Sequence, residues 1–235
     1  KTAEGERAVR AAFEADRNKC TTSVTLESDR YQPFSEEEFV RLYPLVPYQL
    51  KLLIDAVSAR RAQSGSLLTM GGSNRTIVQH AQKLIIDRAV GLGGSEVGSL
   101  VTVDLSYVLL EELIPTAWRH EVDQAVSAHG SESIEVQVMR AVALCTDVPG
   151  ISLTAANIAS LLHPSISADP IDQEIDEALA VLVGEDRLRE SDKGYGLQSP
   201  DEKDWEQTRR AIDMKPGDAV RLRRDHRRGA RHARG

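Results

Sequence analysis

Arg75 is the residue of this chain whose position most needs a chemical explanation. In "GGSNRTIVQHAQKLI", residues 71–85, Ser73 has the side chain of a helix N-cap and Arg75 falls in the first turn that follows. The N-terminal end of a helix carries partial positive charge, so a cation there costs about 0.3–1 kcal/mol where an acid would be favourable. Ile77, Ala81, Leu84 and Ile85 recur at helical spacing and mark a core-facing stripe. Arg75 lies two residues from Ile77, about 200° around the helix, and projects off that stripe beside Gln79. It is either a solvated cation early in a helix or one that reaches an anion.

The remaining basic residues fall into two groups. The final fifteen residues, "RLRRDHRRGARHARG", hold seven arginines against one aspartate, a net +6. The whole chain is at −7, so everything before them carries −13. Arg221, Arg223, Arg224, Arg227 and Arg228 are therefore candidate phosphate contacts, although a terminal run of this composition is also the signature of a disordered arm. Arg187, Arg189 and Lys193 form the second group, in the expected hairpin "LRESDKGYGLQS". Between Ser131 and Pro200 there are twelve acids and four bases, and the helix before the hairpin presents Asp169, Asp172, Glu174, Asp176 and Glu177. A phosphate backbone would be repelled by that helix, which favours a protein-packing module over a DNA reader.

Other chemistries lack their residues. Cys20 and Cys145 belong to no C-x-x-C pair, and Cys145 in "VMRAVALC" reads as a small core residue. The histidines, His80, His120, His129, His163, His226 and His232, show no metal-ligand spacing, so no metal is assigned. The pattern G-x-x-x-x-G-K-[ST] occurs nowhere, and "GLGGSEVGS" does not space its glycines as G-x-G-x-x-G and reads as a linker. By itself this chain is not expected to hydrolyse ATP or to hold a cofactor.

The elements that must position Arg75 are mostly helical. Aromatic residues make up only 4 % of the chain, and aliphatics with alanine carry its hydrophobic share. "TAEGERAVRAAFEADR" predicts a first helix, and "NKCTTSVTLESDRYQPFS" a connector. Ser35 with Glu38 forms a capping box, and Pro47 opens a helix carrying Leu50, Leu53, Ile54 and Val57. Two further helices are separated near Pro115. After Gly130 the order becomes helix, a second helix capped near Thr154, a third helix and a hairpin, which is the order of a winged helix-turn-helix, and Trp205 anchors a closing helix. No apolar run reaches the ~18 residues of a membrane span. "KTAEGERAVR" has no signal-peptide core. A soluble, cytoplasmic piece of something longer is expected.

A helical unit with a G-x-x-R helix, followed by this winged order, resembles the lid and C-terminal winged helix of initiator-type AAA+ ATPases. More narrowly, "LYPLVPYQLKLLIDAV" and "GGSNRTIVQHAQKLI" are similar to the P-loop ATPases of bacteriophage-exclusion (BREX, phage growth limitation, PglY-like) systems, over about Tyr31 to Trp205. The Tyr43–Tyr48 block and Gly71–Thr76 carry the likeness most specifically. It implies that Arg75 senses nucleotide phosphate, with Gly71, Gly72, Ser73 and Asn74 shaping its turn, and that Tyr43, Pro44, Pro47 and Tyr48 are structural. It also implies ATP and magnesium for the full-length protein, and the ATPase core or other defence-system subunits as partners. The expected architecture is mainly α: an N-terminal helix and connector (1–34), a lid-like helical domain (35–130), a winged-helix domain with a small hairpin (131–212) and a basic tail (213–235). Two other readings stay open, a nucleic-acid-binding regulator and a purely scaffolding module.

Overall fold

A computed structural model describes residues 2–63, 79, 82–84, 86, 92–198 and 208. Helix α1 (Ala3–Ala15) is capped by Thr2, whose hydroxyl accepts from the Gly5 amide at 3.1 Å. It packs on α3 (Glu36–Leu42) through Phe13, whose ring centroid lies 4.5 Å from that of Phe39. Ser35 and Glu38 form the expected capping box at the start of α3. Between α1 and α3 the sequence predicts a connector, but Arg17–Val24 is a helix, α2. Its residues are poor helix formers, and packing overrides propensity: Cys20 and Val24, one turn apart, are both fully buried.

Helix α4 (Pro47–Gln63) opens on Pro47, where the absent N–H costs nothing. Residues 82–84 are helical, and Leu84, the described member of the stripe beside Arg75, is buried while Gln79 is exposed. The expected linker is partly structured. Leu92–Gly94 is a 3-10 turn, and Gly98 and Ser99 enter a backbone seam described below. Helices α5 (Val103–Leu110) and α6 (Thr116–His129) both pack on α7 (Ile134–Cys145). The boundary expected near Gly130 thus falls between two helices that share a core. Helix α8 (Ala155–Leu162), capped by Thr154, and α9 (Asp172–Gly184) complete the helical set.

Strands β1 (Leu188–Ser191) and β2 (Gly194–Leu197) make an antiparallel hairpin with Leu188 opposite Leu197. The two-residue loop is Asp192-Lys193, and Gly194 takes φ +99° as the first residue of β2. Ahead of α8, Leu153 bridges to Gly194, and its carbonyl accepts from the Tyr195 amide at 2.8 Å. A Cβ on Gly194 would lie 2.5 Å from the Leu153 carbonyl, so the close approach itself requires glycine. The chain divides into two units, and the one described runs to Gln198. Every element above belongs to the first. Trp205 lies outside the described residues.

Gly194→Ala combines a left-handed backbone with a backbone clash and should lower stability by about 1–3 kcal/mol in urea titration. Stability equal to wild type would mean that the hairpin does not dock on Leu153 as described.

Candidate functional site

Gly71, Gly72, Ser73, Asn74 and Arg75 lie outside the described residues, as do Arg221, Arg223, Arg224, Arg227 and Arg228. In the described residues before them, the last turn of α4 is fixed by Arg60. The Arg60 guanidinium stacks over the Trp118 ring, 4.4 Å from its centroid, and donates through Nη2 to the carbonyls of Ala143 (3.0 Å) and Thr146 (2.5 Å). Its Nη1 lies 3.7 Å from Asp147 Oδ2. One side chain therefore ties the end of α4 to α6 and satisfies carbonyls at the C-terminal end of α7, where a cation also meets the negative end of the helix dipole. The side chain is 2 % exposed, and burial pulls its pKa down while Asp147 opposes that shift.

The start of α4 is fixed as firmly. In the Tyr43–Tyr48 block, Tyr43 Oη accepts from the Gly98 amide (2.8 Å), and the Pro44 carbonyl accepts from the Val101 amide (2.9 Å). Gln49, 2 % exposed, accepts from the Val46 amide (3.0 Å) and donates to the Val101 carbonyl (2.7 Å). The other side of the same segment pairs with Pro164–Ile166: the Leu100 amide donates to the Pro164 carbonyl (2.8 Å) and the Ile166 amide to the Gly98 carbonyl (2.9 Å). Each of these groups is taken up in pairing between residues 43–49, 98–101 and 164–166. Beside this block an apolar cavity of about 250 Å³ is lined by Val9, Tyr43, Pro44, Leu92 and Val97, with no carboxylate, imidazole, ammonium or guanidinium among the described lining residues.

A third tie joins the N-terminal segment to α8. Asn157, fully buried, accepts from the Glu27 amide (2.7 Å) and donates to the carbonyls of Ser152 (2.8 Å) and Glu27 (3.3 Å). Nearby, Arg30 makes two 2.8 Å bonds to Asp55, whose Oδ2 is 3.0 Å from the Tyr31 hydroxyl. Burial works to raise the Asp55 pKa, but Arg30 and Tyr31 outweigh it and hold the carboxyl below its usual range.

Beside the hairpin, the candidate phosphate contact Arg187 is paired with a carboxylate. Its side chain is 16 % exposed, and Nε donates to Glu185 Oε2 at 2.6 Å, an oxygen that is also 3.1 Å from His129 Nε2. Arg187 and His129 hold the Glu185 carboxyl below its ordinary pKa. Arg189 is exposed on β1 beside Glu190, and Lys193 is exposed at the turn beside Asp192. Asp172, Glu174, Asp176 and Glu177 are exposed along α9. The described face is thus acidic around its few cations, an arrangement that repels a phosphate backbone. Among the described residues no three His, Cys, Asp or Glu side chains lie together as a metal cluster, and no helix is long and apolar enough to cross a membrane.

Sequence reasoning missed Arg60, Gln49 and Asn157. For the first two a signal was present. Gln49, Leu53, Ala56 and Arg60 share one helical stripe with Leu52 and Val57, so both polar residues sit on the core side of α4. Asn157 carries no such mark, because its partner, the Glu27 backbone, is 130 residues away.

Arg60→Met keeps the bulk under Trp118 but strands two carbonyls, and it should cost about 1–3 kcal/mol by chemical denaturation. An unchanged midpoint would show that the anchor is dispensable. No family model matches this chain, and no solved structure matches it significantly.

Proposed function

We propose that this chain is the lid-like and winged-helix region of a phage-defence P-loop ATPase, in which Arg75 senses nucleotide phosphate and residues 131–197 form a protein-interaction module. The observation that carries the reading is the double anchorage of α4: the Tyr43–Tyr48 block holds its start and Arg60 its end. The Tyr43–Tyr48 block is one of the two stretches on which the resemblance is most specific, and a rigid α4 supports a sensing arginine further along the chain. The helix-helix-helix-hairpin order, with Leu153 joining the hairpin ahead of α8, supports the winged-helix part. In this reading the full-length protein binds ATP and magnesium, acts in the cytoplasm, and pairs this region with the ATPase core or other defence subunits. The phosphate-cradling pattern is not in this sequence, so hydrolysis belongs to the assembly. The acidic face around Arg187 weighs against the nucleic-acid regulator.

In the assembled ATPase, Arg75→Ala should lower hydrolysis roughly 10²-fold without unfolding the chain, and Arg75→Lys should restore only part, because lysine keeps the charge and loses the two-pronged grip on phosphate oxygens. Wild-type rates in both variants would leave a solvated arginine. A chain ending at Gln198 should bind duplex DNA poorly, with any affinity of the full chain supplied by residues 221–235 and falling steeply with salt. Tight, sequence-selective binding by the shortened chain would overturn the protein-module reading in favour of the regulator.

A further inference from the structure

His163 is the C-cap of α8 and opens the stretch whose next three residues form one side of the seam. The residue is only 2 % exposed, and its Nε2 has no hydrogen-bond partner among the described residues. A second proton on that ring would place a charge, and a new donor, in a buried position where no acceptor among the described residues meets it. The charges that act on the ring are Lys19 from α2 and Asp172 from α9. Lys19 is itself paired with Asp169, at 2.7 Å, and donates to the Ser167 carbonyl at 2.8 Å. Other buried ionisable groups on the elements packed against α8 are Cys20 on α2, Asp104 and Tyr107 on α5, and Cys145 on α7.

We propose that His163 makes the seam acid-sensitive: protonation of the ring releases Pro164–Ile166 from Gly98–Leu100 before the rest of the fold opens. The geometry supplies both halves of the device, a fully enclosed imidazole and, in the adjoining residues, the two backbone bonds that its displacement would break. Burial pushes the ring's pKa below its ordinary value, and Lys19 adds to that shift against the Ser165 backbone and Asp172. The sign follows from linkage. Well above about pH 6.5 the open and closed forms are both neutral and the seam is at full strength. As pH falls below about 6.5 the open form takes up a proton that the closed form refuses, and opening becomes favoured by up to about tenfold per pH unit. Burial pushes Cys20 up to about 11 and Cys145 up to about 12, and it raises the Tyr107 phenol above its usual value, so these three do not titrate in this window. The Asp104 carboxyl is also raised by burial and is the competing acid.

The test is amide hydrogen exchange by NMR on the full chain, read at Leu100 and Ile166 with the α1 amides as an internal reference, from about pH 7.5 to about pH 5.5. Protection at those two amides should fall about three- to tenfold relative to α1 in the wild type and in Asp104→Asn, and should be flat in His163→Gln. A loss that persists in His163→Gln, or that disappears in Asp104→Asn, overturns the proposal. Should His163→Gln fail to fold, the His163 ring resonance of the wild type decides: the ring should protonate together with the loss of protection, and protonation with protection unchanged overturns it.

Discussion

The described fold depends on one short run of backbone, Gly98–Val101, held from both sides. Pro44 on one flank and Pro164 on the other contribute carbonyls and have no N–H of their own to leave unpaired. The pairing is therefore satisfied without inviting further strands, and it stops where the prolines stop it. Val46, Leu100, Val101 and Ile166 bury their side chains around it, each at 2 % exposure or less. Because residues 43–49 and 164–166 meet the same segment, the first half of the chain and the α7–α9 half are joined through main-chain bonds as well as through apolar contact.

Buried polar side chains extend that joint. Asn157 pairs with both the amide and the carbonyl of Glu27, Ser160 donates to the Thr25 carbonyl at 3.1 Å, and Arg60 donates to α7 carbonyls from the far end of α4. Each group lies where water cannot replace a lost partner, so a wrong register would cost a full desolvation penalty as well as a hydrogen bond. Apolar burial alone would tolerate several packings of these short helices, and the polar ties select one. Of these ties, Arg60 holds the end of α4 against α6 and α7.

Local physics was legible in the sequence wherever it is local. The Ser35–Glu38 capping box, Pro47 at the first turn of α4, the Thr154 cap, the break near Pro115 and the hairpin were all readable from residue type and spacing. What escaped depends on partners far along the chain. Helix α2 has no helical pattern and exists because Cys20 and Val24 find a core, and the glycine-rich 91–99 stretch looked like a linker because its partners at 43–44 and 164–166 are invisible to a local reading. The candidate phosphate contact Arg187 was visible as a cation, but its partner Glu185 stood only two residues away and could have been weighed. Arg75 was singled out from the electrostatics expected at a helix start, and it lies outside the described residues.

The acidic surroundings of the hairpin cations and the anchored α4 are the two features on which the proposed reading rests. The central claim, that this region works within a P-loop ATPase, is tested most directly by sequencing the reading frame upstream of Lys1. The account predicts that the same frame encodes G-x-x-x-x-G-K-[ST] followed by an apolar strand ending in acidic residues. A frame that opens close to Lys1, with no such pattern before it, would contradict the account.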